Sequence, residues 1–250
     1  MKSRRVSPWV YSAVGVALLL VVIELVGRFG LAGRSWPPLS SVIAYLGQPV
    51  QQSLLLRALA STALSALVGL VVGTVVATAA AVAALLLPAL RPGMDRLAAI
   101  VNAVPLIALA PLLITTAGRE NTPTAVAALG TGFVVFVAMT SGLFVSKPSH
   151  SDVFSVYGSN RWRRLIFLQL PASIPHFFDG LALAAPTAVL GATIGEWFGA
   201  PLGLGVLIVS AMQNYQIPLL WAAAIASTLL SLLAYVGATR MRSAAAGRFA

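Results

Sequence analysis

His150 and His176 are the only histidines, Lys2 and Lys147 the only lysines, and only six acids accompany them. Their spacing suits no familiar reaction. No H-x-x-x-H pair or carboxylate cluster offers metal-ligand geometry. Cysteine is absent, which excludes disulfides, thiolate metal sites and cysteine nucleophiles. A serine nucleophile needs a partnered base. The topology derived below puts both histidines on the wrong side for Ser210 or Ser227. Neither lysine follows a glycine-rich turn, and no G-x-x-x-x-G-K-[ST] run exists, so the chain is expected to cradle no nucleotide phosphate. The sequence therefore predicts no enzyme, no bound metal and no cofactor on this chain.

What remains is a set of residues that could shape a path through a membrane. An ionisable residue inside an apolar run is a functional candidate, and Glu196 is one, beside Trp197. Two readings of it stand open: an interfacial carboxylate in an aromatic belt, or a gate residue next to the irregular stretch holding Pro201, Gly203 and Gly205. Pro105 and Pro111 release backbone groups inside another apolar run, which is tolerated where such groups line a cavity. Pro105, Pro111, Glu196, Gly203 and Gly205 are the candidates for a translocation pathway.

The elements that position them follow from composition. The chain of 250 residues is 59% hydrophobic and 9% charged, with a mean hydropathy of +0.93. Soluble domains carry about 25% charged residues, so this chain's solvent is a bilayer. A spanning helix needs about 20 apolar residues. Six runs qualify, at about 9–26, 58–87, 97–118, 124–145, 180–196 and 218–238. They predict an all-α polytopic bundle forming one membrane domain over 1–250. The first run resembles a signal peptide but is long for one and lacks an A-x-A site, so it is expected to remain. Glu24 is expected to snorkel at its outer end. Gly69 and Gly73 form a GxxxG face suited to close helix packing.

The net charge is +10. Six spans with a cytoplasmic N-terminus leave only Arg28, Arg34, Arg57 and Arg119 outside, four of the sixteen basic residues. That asymmetry obeys the positive-inside rule, places both termini in the cytoplasm, and reads the charge as topology rather than nucleic-acid binding. It also puts the polar segment 146–179 in the cytoplasm.

Within that segment a short helix is expected from Asp152 to Tyr157, stopped by Gly158. A second helical piece follows and is interrupted at Pro171. Val153, Phe154, Val156 and Tyr157 form an apolar cluster outside the bilayer. Such a cluster either marks a contact surface or lies back on the bundle.

The same residues carry a resemblance. Gly158 is followed by nine residues and then Leu168-Gln169-Leu170-Pro171, which resembles the E-A-A-x-x-x-G, nine residues, I-x-L-P loop of ABC-importer permeases. Asp152-Val153-Phe154 stands where the family has E-A-A. Pro105 to Leu112 is similar to the P-x-x-A-x-x-P-L segment of the nitrate/sulfonate/taurine branch. Pro171 to Pro175, Gly180-Leu181, Glu196 with Gly199, and Gly203-Leu204-Gly205 resemble further branch motifs in the same order. The resemblance implies a type I importer permease in a bacterial inner membrane, with Asp152 to Gly158 as a coupling helix on an ATPase. It also implies a second permease, identical or related, and two ATPase subunits holding ATP and Mg. An extracytoplasmic binding protein would deliver a small anion or a heterocyclic vitamin precursor. The alternative class is a secondary carrier or channel without an ATPase.

Overall fold

In lipid every backbone N–H and C=O must find an internal partner, so apolar runs become helices. A computed structural model describes residues 8–145 and 148–249, with side chains over 10–145 and 152–245. Lys2, Arg4, Arg5 and Lys147, and the side chains of His150 and Arg248, invoked above for topology and chemistry, lie outside the described residues. No strand occurs among the described residues. The helices are α1 Pro8–Arg28, α2 Leu39–Leu46, α3 Pro49–Leu86, α4 Arg91–Ala103, α5 Leu106–Ala117 and α6 Thr122–Leu143. After them come α7 Pro148–Val156, α8 Arg161–Arg164, α9 Leu170–Glu196, α10 Leu204–Gln213 and α11 Ile217–Phe249.

Five stretches are long and apolar enough to cross a bilayer: α1, α3, α6, the continuous Arg161–Glu196 and α11. The run expected at 97–118 is not one straight span. It is α4 and α5 meeting at 99°. Pro105 causes the elbow: it disfavours helical backbone at the preceding residue, and Val104 is accordingly extended at φ −75, ψ 124.

Helix contacts fix the direction in which each helix runs. Gly69 and Gly73 of α3 meet Ala127 and Ala128 of α6, and farther along Ala77 and Ala81 share a core with Val135 and Met139. The two helices therefore run parallel. The chain must travel from the end of α3 back to the start of α6, and the bent α4–α5 pair makes that journey. On the other face of α6, Gly142 meets Ser173, Gly191 meets Ala127 and Gly195 meets Pro123, so α9 is antiparallel. Thr193 pairs with Ser227 at 3.4 Å, and Ala182 and Ala185 pack with Ala238, making α11 antiparallel to α9. With α1 included, the described residues hold five candidate spans, or six with the bent α4–α5 pair taken as one.

Small residues set the spacing at the centre. A Cβ on Gly69 would lie 2.5 Å from the Ala127 Cβ, and one on Gly191 would lie 2.8 Å from the Ala127 Cα. Ala127 is thus wedged between α3 and α9, and only hydrogens fit in the gaps. The GxxxG face of α3 serves bundle packing of this kind.

Of the four apolar core clusters among the described residues, the two largest lie toward opposite ends of the bundle. One joins Val42 of α2, Leu55 and Ala58 of α3, Leu204 and Leu207 of α10, and Leu219 and Ala222 of α11. The other joins α3, α6 and α9 nearer Leu143 and Leu165. They define a Glu196 end and a Gly158 end.

Several boundaries differ from the sequence reading: α3 begins at Pro49 rather than 58, α7 at Pro148 rather than Asp152, and α11 runs to Phe249 rather than 238. The span expected at 180–196 is the last part of a helical rod that begins at Arg161, so the polar loop expected over 146–179 contracts to a hairpin around Gly158. Pro171 does not interrupt the rod. Residues Leu165–Gln169 form a π-turn, the Leu170 N–H donates to the Leu165 carbonyl, and Pro171 falls in the first turn of α9. A widened turn absorbs the missing donor.

Candidate functional site

The Gly158 hairpin is built from its caps. Gly158 has φ +62, a conformation that glycine adopts without steric cost. Its N–H donates to the Ser155 carbonyl at 3.0 Å, and the Ser159 N–H donates to the Phe154 carbonyl at 2.9 Å. That pair of bonds is a Schellman closure of α7. Two residues on, the Asn160 side chain accepts the Arg163 N–H at 2.9 Å and starts α8. Chain reversal is therefore complete within a few residues.

Val156 and Tyr157 are each 84% exposed. They do not lie back on the bundle. Asp152 and Val153 are exposed beside them, and Phe154 is half-buried. Leu168 and Leu170 are half-buried on the rod behind, with Pro171 exposed. Around the hairpin the end is basic. Arg161 Nη1 donates to the Leu86 carbonyl at 3.3 Å, Arg91 stacks 3.8 Å over the Phe144 ring, and Arg242 pairs with Asp179. These contacts tie the hairpin's base to the end of α3, the start of α4 to the end of α6, and α11 to α9.

At the opposite end Glu196, Gly203 and Gly205 come together, as their sequence proximity suggested. Glu196 is 1% exposed, so it is not an interfacial carboxylate. Its Oε2 accepts the Gly205 N–H at 2.8 Å and the Thr62 hydroxyl at 3.0 Å. Thr62 in turn accepts the Leu204 N–H at 2.8 Å. A Cβ on Gly203 would overlap the Glu196 carboxyl group, so that glycine is a matter of space. Thr62 went unremarked in the sequence. The available signal was a lone hydroxyl in an apolar span, which needs a polar partner when buried. Pro105 and Pro111 are exposed on a separate element.

Glu24 has a related role at the same end. It accepts the Ser40 N–H at 2.9 Å and the Ser40 hydroxyl at 2.7 Å, with Arg28 beside it. It thereby caps α2 rather than snorkelling freely.

Two apolar cavities open along the bundle. One, about 760 Å³, lies toward the Gly158 end and is lined by Leu170, Phe177, Phe178 and Met241 among others. The other, about 520 Å³, lies inside the elbow against Val76, Leu97, Val101 and Phe133. No charged side chain lines either among the described residues. No cluster of three or more His, Cys, Asp or Glu residues occurs among the described residues.

Residues 69–244 match the family described as "Binding-protein-dependent transport system inner membrane component". A probable ABC transporter permease protein of Haemophilus influenzae is 34% identical over 137 residues, which cover 54% of this chain and 56% of that protein. The formylaminopyrimidine transport permease protein ThiX of Halalkalibacterium halodurans is 30% identical over 57% of each chain. The chain thus spans little more than half the length of these two. The riboflavin transport system permease protein RibX of Chloroflexus aurantiacus is 31% identical over 93% of this chain and 91% of that one. Among solved structures, an inward-facing MetNI methionine ABC transporter matches with a TM-score of 0.67 at 16% identity, covering 79% of this chain and 99% of that one. That likeness is one of fold.

Proposed function

This chain belongs to the family of binding-protein-dependent transport system inner membrane components, and we propose that it works as the permease subunit of an ATP-driven importer. Two such chains, identical or related, form the pathway. Two ATPase subunits bind ATP and Mg and seat the Gly158 hairpins. A binding protein delivers the solute at the Glu196 end. Nucleotide-driven closure of the ATPases draws the hairpins together and switches access from one end to the other.

The exposed pair Val156 and Tyr157 carries this reading. Apolar side chains at 84% exposure, on a tightly closed hairpin and beyond the bilayer, need a protein partner. The basic residues around them support a cytoplasmic placement. Asp152, Val153, Phe154, Val156, Tyr157 and Gly158 form the contact, and Leu168, Leu170 and Pro171 form the rod that carries it.

The solute is a heterocycle of the vitamin class rather than a small inorganic anion. The two cavities present apolar and aromatic walls with no cationic side chain among the described residues to pair an anion. The riboflavin permease also matches along nearly the whole chain. Competition of labelled solute uptake by flavins and pyrimidines, against sulfonates, tests the class.

Val156→Asp and Tyr157→Asp test the coupling. Both positions face solvent, so the variants should insert and fold. The expected result is loss of the ATPase on co-purification, with transport lost in parallel. Retention of ATPase and transport by both variants would remove the hairpin from the mechanism and favour a carrier that needs no ATPase.

A further inference from the structure

We propose that Glu196 is a positioning residue that fastens α10 to α3 and α9, making the solute-entry end move as one piece. The inference rests on the importer reading above and deepens it. α10 has ten residues, about 15 Å of helix, and is too short to cross a bilayer. It sits between two spans with its first turn buried, where helix N–H groups lack intrahelical acceptors. A local Ser, Thr, Asn or Asp ordinarily answers that need. Here the N-cap is Gly203, which has no side chain.

The acceptors come instead from two other helices. The Leu204 N–H goes to the hydroxyl of Thr62 on α3, and the Gly205 N–H goes to the carboxyl of Glu196 on α9. The Thr62 hydroxyl also donates to that carboxyl. Three elements, with α3 far in sequence from α9 and α10, share one small hydrogen-bond set at the edge of the apolar core. Ser61, next to Thr62, adds a bond to the Leu202 carbonyl at 3.1 Å. Burying an acid here is costly, and Glu196 Oε1 has no hydrogen-bond partner. A local cap would serve α10 alone at less cost. What the long-range arrangement adds is connection: α10 cannot leave α9 without stranding buried donors.

The test uses the full transporter with Glu196→Ala and Glu196→Gln, each also combined with Ala211→Cys. Ala211 faces the core on α10 and is fully buried, and the chain has no cysteine of its own. The thiol introduced at position 211 is therefore the only one in this chain, and its reaction with an impermeant maleimide reports whether α10 leaves the core. Glu196→Ala should raise that reaction about tenfold or more, because it strands the buried Gly205 N–H, while the Thr62 hydroxyl can turn to the Ala58 carbonyl 3.1 Å away. It should also cut transport per ATP hydrolysed to a similar extent. Glu196→Gln keeps one accepting oxygen and should stay near the unmodified protein in both. A disulfide between Ser61→Cys and Leu202→Cys should restore transport to Glu196→Ala, even where that variant accumulates poorly without it. Normal transport and thiol protection in Glu196→Ala would overturn the proposal. So would a cross-link that forms without restoring transport, or Glu196→Gln failing as fully as alanine. Failure of the unmodified chain to retain an ATPase would instead refute the importer reading, and protection of the introduced thiol would still decide this one.

Discussion

A graded series at Gly158 isolates backbone strain from steric clash. A Cβ added at Gly158 would meet nothing within 4 Å. The cost of a side chain there is therefore conformational, set by φ +62. Left-handed backbone costs a non-glycine residue about 1–2 kcal/mol. Asparagine tolerates it best, and a β-branched residue is a genuine outlier. The closed turn rests on two backbone hydrogen bonds, so little nearby can offset the penalty. At about 1–2 kcal/mol the ratio of closed to open turn falls about 5- to 30-fold, and apparent affinity falls with the competent fraction. ATPase retention on an affinity-purified transporter, titrated against salt, should rank Gly158, then Gly158→Asn, then Gly158→Ala, then Gly158→Val. Membrane insertion should be equal in all four. If valine retained the ATPase as well as glycine, or asparagine did worse than valine, the turn would not be what presents Val156 and Tyr157.

Gly191→Ala should lower unfolding stability in detergent by about 1–3 kcal/mol through overpacking against the α6 backbone. Gly237→Ala, with open space around it, should gain up to about 1 kcal/mol from helix propensity; equal effects would contradict the close approach. Cysteines placed singly at Ser155 and Ser210 should be labelled from opposite faces of sealed vesicles, and labelling of both from one face would refute six crossings.

Much of the bundle was legible because lipid imposes one rule on every span. The apolar runs and the glycine stop at Gly158 are local signals, whereas the elbow at Pro105 lay inside a run read as one span. The long rod was not legible. Arg161 to Arg164 are too polar to be read as part of a span, yet a helix that projects beyond the bilayer has no need to be apolar. Pro171 reads as a breaker in sequence, and only the π-turn before it shows how the helix carries on. Glu196 stood out as an acid, but its partner Thr62 lies 134 positions away. Nothing local records that pairing. The wedge of Ala127 between Gly69 and Gly191 is likewise a property of three helices at once.

That wedge also bears on motion. Where backbones touch through hydrogens alone, no side chain can change rotamer to let one helix slide past another. α3, α6 and α9 should therefore travel as a rigid slab, and their central amides should be the slowest in the chain to exchange with deuterium. Hinging is left to the parts outside the slab. α1 has 0% of its apolar window buried within this chain, and the α4–α5 elbow already departs from straight by 99°. A cycle that alternates access through this protein would carry its middle as one rigid body and bend at its margins.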